Sequence, residues 1–430
     1  MRFSRQVSLA MAVRLVAVAS SVGASVLIAR NLGAAALGIY AVLSLTVSSL
    51  VQVMGSGLAS ANVYFGKQDP RSVNTITANS LIYSFTAGVA GSVAVYGVFL
   101  LEPQWFKNVP APLMLIMLCT LPFQIWTLLG INIVLALGDV KRFNLLDGAA
   151  QTLLLVNSFI VFIILGKGLD RLVEFTAAAV AIFSIAVVGL VVRQAGRANS
   201  SASFRPDLRV FWRIFGFGTR VNIINAAMVL ILRADVLLVN YFRGEAEAGV
   251  YSVAAQCSLL IMMFPNVVGT MLFPSVAGMA TGSGEFTARV LRHTALVLLL
   301  LAAVSIPAAY ALPVFFGPDF SPATLQFLIL LPGAVMMGVQ MMLSQHLVGI
   351  GKLRALPIFW LGSLALSVSL NLLLIPRYGA NGAALVSTLT YGTIFGLTLV
   401  YFQKQTRQRL SELFVLRRGE MRAIFSRSGW

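Results

Sequence analysis

Apolar runs of membrane length recur along the whole chain. Twelve can be read, at approximately 7–29, 36–60, 75–101, 111–136, 145–166, 172–192, 213–241, 247–274, 290–316, 322–348, 355–376 and 379–402. A helix needs about 20 consecutive, mostly apolar residues to cross a bilayer, so the pattern predicts an all-α integral membrane protein of twelve transmembrane helices. The first run follows a basic start, Arg2 and Arg5, in the manner of a signal peptide. It is too long for one and contains Arg14, so it reads as a retained helix. The longest connection, from about Arg193 to Arg213, is rich in Ser and Arg and contains Pro206, which suits a solvated linker.

The seventh run breaks the apolar rule. Between Ile214 and Tyr241 it carries Arg220, Arg233 and Asp235. An ionisable group at membrane depth costs at least about 2.5 kcal/mol, so it faces a protein interior or a watery space. At about 100° per residue, Asn222, Asn225 and Arg233 fall on one stripe, with Val229 between them, while Arg220 points elsewhere. This stripe is expected to wall a central cavity. The alternatives are that both arginines snorkel to headgroups and that the asparagines bond neighbouring helices. The first run has a matching stripe of Arg14, Ser21 and Ser25.

Composition agrees with the pattern: 58% of residues are hydrophobic and 10% charged, against about 25% charged in a soluble domain. Cys119 and Cys257 lie in apolar segments, and His293 and His346 have no ligand-spaced partners, so neither a disulfide framework nor a metal site is expected. Of the 31 Lys and Arg, 22 fall at the termini and even-numbered connections and 6 at the odd-numbered ones. That asymmetry places both termini in the cytoplasm and explains the net charge of +17 without nucleic acid. The basic tail is expected to lie on anionic headgroups or to be disordered.

The halves of the chain echo one another. Gly33 and Gly38-Ile39-Tyr40 open the second run; Gly244 and Gly249-Val250-Tyr251 open the eighth, 211 positions later. Gly138 before the fifth run and Gly351 before the eleventh are 213 apart. Six runs fit each half, giving a parallel 6+6 repeat about an axis along the membrane normal. The expected division is an N-terminal lobe over 1–192, a cytoplasmic linker over 193–212, a C-terminal lobe over 213–403 and a basic cytoplasmic tail over 404–430.

Within the runs this reading counts three arginines and one carboxylate, Asp235. A cationic cavity attracts an anion. Arginine suits phosphate, because its planar guanidinium offers forked donors and stays charged. An amphipathic anion that must cross a bilayer is a lipid-linked phosphate. Asp235 is expected to pair with Arg30 or Arg233, or to bind a coupling cation. Polar residues such as Gln52, Gln124 and Asn132 read as interhelical bonding groups. Acids on the outward connections form no convergent pair, so no catalytic residue and no cofactor are expected.

With Arg233-Ala234-Asp235 near the end of the seventh run, a turn at Gly244 and Gly249-Val250-Tyr251 opening the eighth, the chain resembles the polysaccharide flippase branch of the multidrug/oligosaccharidyl-lipid/polysaccharide (MOP) exporter superfamily. The first half echoes this as Arg30, Gly33 and Gly38-Ile39-Tyr40. The resemblance implies a MATE-like V of two six-helix lobes. It also implies passage of undecaprenyl-pyrophosphate-linked oligosaccharide to the periplasmic leaflet of a bacterial inner membrane, alongside other polysaccharide assembly proteins. In that family arginines of the first and seventh helices engage the pyrophosphate, a part open here to Arg14, Arg220 and Arg233. The scarcity of acids leaves the coupling ion, Na+ or H+, open. An organic-cation antiporter of the same fold and a membrane polymerase or glycosyltransferase are the rival readings.

Overall fold

The computed structural model describes residues 2–198, 204–277, 279, 282–352 and 355–414. Among these residues there are helices and turns and no strands. The helices are α1 (Arg2–Gln68), α2 (Val73–Leu101), α3 (Ala111–Cys119), α4 (Leu121–Ala136), α5 (Val140–Phe159), α6 (Leu169–Ala198), α7 (Leu208–Arg243), α8 (Glu245–Ala277), α9 (Ser283–Ala309), α10 (Leu312–Phe316), α11 (Ser321–Gly349), α12 (Leu356–Thr406) and α13 (Leu410–Phe414). A π-helical turn, Ile160–Ile164, extends α5.

Ten stretches among the described residues are long and apolar enough to cross a membrane. Two of them, of 53 and 51 residues, are each long enough to cross twice. Both are interrupted by a glycine with positive φ. Gly33 has φ 79°, ψ −176° in α1, and Gly379 has φ 59°, ψ −143° in α12. A side chain would be strained in either conformation, so glycine marks the point where the backbone leaves the helical path. The first break falls in the gap read between the first and second apolar runs, and the second falls at the first residue of the twelfth run, just after the gap at 377–378. Two other runs divide where they were read as continuous: 111–136 breaks at Thr120, ahead of Pro122, and 290–316 divides after Pro307 into α9 and α10.

The chain forms two compact units. The first comprises Met1–Ser252 and Phe315–Phe320; the second comprises Val253–Val314 and Ser321–Trp430. In the first, α4 is the central helix, with Leu121, Ile125, Trp126 and Leu129 fully buried beneath α1, α2 and α6. Helix α7 belongs to this unit and packs along α1. In the second, α11 takes the central place between α9 and α12, burying Met337, Met342, Leu343 and Leu347. Exposed Ile182, Ile185, Val304 and Leu373 give both units the apolar outer surface that lipid requires.

The short helix α13 is docked in the second unit. Leu413 is fully buried, and buried Arg292 of α9 donates from Nη1 to the carbonyl of Glu412. The basic stretch beyond it, 415–430, lies outside the described residues.

Candidate functional site

Two pairs of glycines bring α7 and α8 against α1. A Cβ at Gly57 would collide with the carbonyl of Gly218, and one at Gly218 would fall 2.9 Å from the Gly57 carbonyl carbon. The second pair is Gly38 and Gly249, the repeat-related glycines of the two Gly-x-Tyr motifs. A Cβ at Gly249 would sit 2.8 Å from the Gly38 nitrogen and collide with the Ala34 carbonyl. Small residues let membrane helices approach to backbone contact, where dispersion and polar bonds hold them.

That approach sets up a polar seam. Ser44, Ser48, Gln52 and Ser56 recur every four residues on one face of α1. Nη1 of Arg233 donates to Ser48 Oγ at 2.8 Å. Ser56 Oγ donates to Asn222 Oδ1 at 2.5 Å, and Asn222 Nδ2 donates to the Val53 carbonyl. The pairings 48 with 233 and 56 with 222 run in opposite senses, so the helices are antiparallel here. Arg233 and Asn222 therefore do share a face, as the 100° spacing predicts, and Asn222 is spent on helix packing. Asn225 is half-buried on the same helix.

Asp235 leaves the other side of α7. It is 2% exposed; its Oδ2 accepts from Tyr251 Oη at 2.6 Å and its Oδ1 from the Val236 amide at 2.8 Å. Nε of Arg30 donates to the Phe315 carbonyl at 2.7 Å. On the first stretch of α1, Ser25 Oγ donates to the Ser21 carbonyl of its own helix at 3.1 Å, while Ser21 is exposed. The side chains of Arg14 and Arg220 lie outside the described residues.

Arg233 opens into a cavity of about 600 Å³ within the first unit. Its walls come from α1, α4, α5 and α6. Ser44, Ser48 and Gln52 contribute from α1, Gln124 and Asn132 from α4, Asp147 and Gln151 from α5, and Thr176 from α6. Tyr40, Phe143 and Phe183 supply aromatic surface.

This corrects the sequence reading in two respects. Asp147 is a carboxylate inside a span besides Asp235: the run at 145–166 already contains it, and it lines the cavity. Gln52, Gln124 and Asn132 line the cavity, and the bonds of Gln124 to Thr120 and of Asn132 to Leu128 are local rather than between helices. The polar rows of four separate helices converge here, a fact that no single helix's periodicity displays. The four-residue row from Ser44 to Ser56 was the available signal. Among the described residues no group of three His, Cys, Asp or Glu is placed to hold a metal ion.

An all-helical, multi-pass membrane protein with a polar, arginine-bearing cavity between its spans has the architecture of a transporter. The family described as "Polysaccharide biosynthesis protein" matches residues 27–324, and the chain belongs to that family. It is 23% identical over 241 residues to the probable low-salt glycan biosynthesis flippase Agl15 of Haloferax volcanii. That match covers 54% of this chain and 49% of the relative, so the chain matches about half the length of that protein.

Among solved structures, it superposes on an inward-closed lipid II flippase MurJ with a TM-score of 0.76 at 13% identity, covering 95% of this chain and 88% of that one. For an inward-facing multidrug resistance MATE transporter of the MOP superfamily the values are 0.72, 15%, 93% and 98%. A MOP superfamily transporter from Pyrococcus furiosus gives 0.62, 16%, 94% and 95%. The fold is thus of the MOP type.

Proposed function

We propose that the protein is a flippase for polyprenyl-pyrophosphate-linked oligosaccharide. It carries the head group from the cytoplasmic to the periplasmic leaflet for cell-surface polysaccharide synthesis. The observation that carries this reading is Arg233, a guanidinium within a membrane-length stretch of α7, held by Ser48 and open to a polar cavity of about 600 Å³. Such a group is costly to keep in a membrane unless an anion or water uses it. A forked, permanently charged donor matches a phosphate that must shed water on its way across. Family membership and the relative's description as a glycan flippase favour this cargo over an organic cation.

In this account the two glycine-broken helices cross twice each, giving twelve passes in a 6+6 arrangement. The N-terminal half, the linker over 193–212 and the C-terminal half then work by alternating access, with the basic tail and both termini in the cytoplasm. The 22-to-6 distribution of Lys and Arg supports this orientation in a bacterial inner membrane. Arg14 and Arg220 are further candidates to meet the pyrophosphate, with Ser21, Ser25 and Asn225 as polar support. The protein transports rather than catalyses, acts with membrane lipids and other polysaccharide assembly proteins, and needs no cofactor beyond a coupling ion, Na+ or H+. Asp235 is the carboxylate available to sense that ion.

The test is complementation of a strain lacking its polysaccharide flippase. The wild-type gene restores surface polysaccharide and clears accumulated lipid-linked oligosaccharide. Arg233→Ala, inserted at normal levels, does neither. Full rescue by Arg233→Ala would refute the assignment.

A further inference from the structure

The cavity around Arg233 holds more polar chemistry than a phosphate contact uses. Gln52 on α1 and Gln151 on α5 both line it, and neither carboxamide has a hydrogen-bond partner among the described residues. Both sit well inside membrane-length helices, Gln52 half-buried and Gln151 exposed, so their amides are open to a ligand. Gln124 and Asn132 on α4 line the same space. Their nitrogens are used locally, by Thr120 Oγ1 at 2.9 Å and by the Leu128 carbonyl at 2.9 Å. Their amide oxygens remain as acceptors. Four carboxamides from three helices thus present donors and acceptors to one space.

The charge of that space selects among ligands. Its lining contains one cation, Arg233, and one carboxylate, Asp147. A dedicated cation site needs several anionic oxygens, and one guanidinium accounts for a single phosphate contact and not for the rest of the lining. Paired donors and acceptors with little net charge suit a polyol, whose hydroxyls each give and take a hydrogen bond. Tyr40, Phe143 and Phe183 add flat apolar surface for the C–H faces of a ring. The volume, about 600 Å³, falls among ordinary small-molecule sites and admits one or two sugar rings, not a long glycan.

We infer that this cavity is a saccharide subsite, in which Gln52, Gln124, Asn132, Gln151 and Asp147 bind the hydroxyls of the sugar adjoining the phosphate held by Arg233. The inference rests on the flippase reading and deepens it. Sugar recognition is assigned to α1, α4 and α5, and phosphate recognition to α7.

The test uses full-length protein in lipid nanodiscs, with glucose 1-phosphate and inorganic phosphate as probes in calorimetric titrations. Wild type binds glucose 1-phosphate about tenfold more tightly than phosphate, the gain expected from one or two added hydrogen bonds. In the Gln52→Leu/Gln151→Leu variant that ratio falls to about one, while phosphate affinity is kept. Neither glutamine has a hydrogen-bond partner to lose among the described residues, so the variant is expected to keep its fold. A ratio of one in wild type, or a ratio that survives the double variant, overturns the subsite. So does a result in which replacing choline by Na+ tightens binding and Asp147→Asn abolishes that dependence, since the cavity would then be a cation site. Arg233→Ala reads the parent account separately: loss of binding for both probes supports the phosphate role, and unchanged phosphate binding refutes it whatever the sugar ratio.

Discussion

Tyr251 and Asp235 are locked together: the phenol of α8 donates to the carboxylate of α7 at 2.6 Å, and both side chains are buried. The bond ties the end of α7 to the start of α8 just after the turn at Gly244. Tyr251→Phe keeps the ring and removes the donor, leaving a buried carboxylate short of a partner at a cost of about 1–3 kcal/mol. We expect a lower melting temperature in detergent, read by intrinsic fluorescence. Asp235→Asn keeps an acceptor oxygen and is expected to lose less stability than Asp235→Ala. Equal melting temperatures for wild type and Tyr251→Phe would show that the bond is not structural.

The glycine contacts should be intolerant of volume. Gly57→Val inserts three carbons where even a Cβ would strike the Gly218 carbonyl. Overpacking of this kind costs about 1–3 kcal/mol or forces the helices apart. Separation would also break the Ser48–Arg233 and Ser56–Asn222 bonds. The expected outcome is reduced thermal stability together with loss of transport. Gly97→Val, at a glycine with open space around it, is the control expected to be neutral.

Ser48 positions Arg233 without making a charge contact of its own. Ser48→Ala removes one hydrogen bond and should lower transport by up to about tenfold, far less than Arg233→Ala. Initial rates of lipid-linked oligosaccharide turnover in the complemented strain measure this. A loss equal to that of Arg233→Ala would mean that Ser48 does more than orient the guanidinium.

Arg292 holds α13 in place through the Glu412 carbonyl. Arg292→Ala should undock α13 and expose Leu410–Phe414. Chymotrypsin should then cut there several times faster than in wild type, as the local opening equilibrium shifts. An unchanged cleavage rate would place the docking energy in buried Leu413 instead.

The membrane spans were legible because hydropathy needs no partner: each helix announces its own length. Gly33 was legible, lying in the gap between the first two runs; Gly379 was not singled out, although the short gap at 377–378 stands just before it. The stripe joining Asn222 to Arg233 was real, but its use was not readable. Asn222 meets Ser56 and Val53, residues some 166 positions away, and only the fold reveals that meeting. Asp147 was overlooked because it lies near the edge of its apolar run, where a carboxylate passes for a loop residue. Gln52, Gln124 and Asn132 were set aside individually. Their significance is collective, arising where α1, α4 and α5 face one another.

The central claim is that Arg233 grips the phosphate of a crossing lipid. It is tested most directly by a transbilayer assay in proteoliposomes, scoring exposure of a lipid-linked oligosaccharide to an external enzyme for wild type, Arg233→Lys and Arg233→Ala. The account predicts rapid exposure for wild type, partial activity for lysine, which keeps the charge but loses the fork, and background for alanine. Wild-type rates for Arg233→Ala, in protein that is folded and inserted, would contradict it.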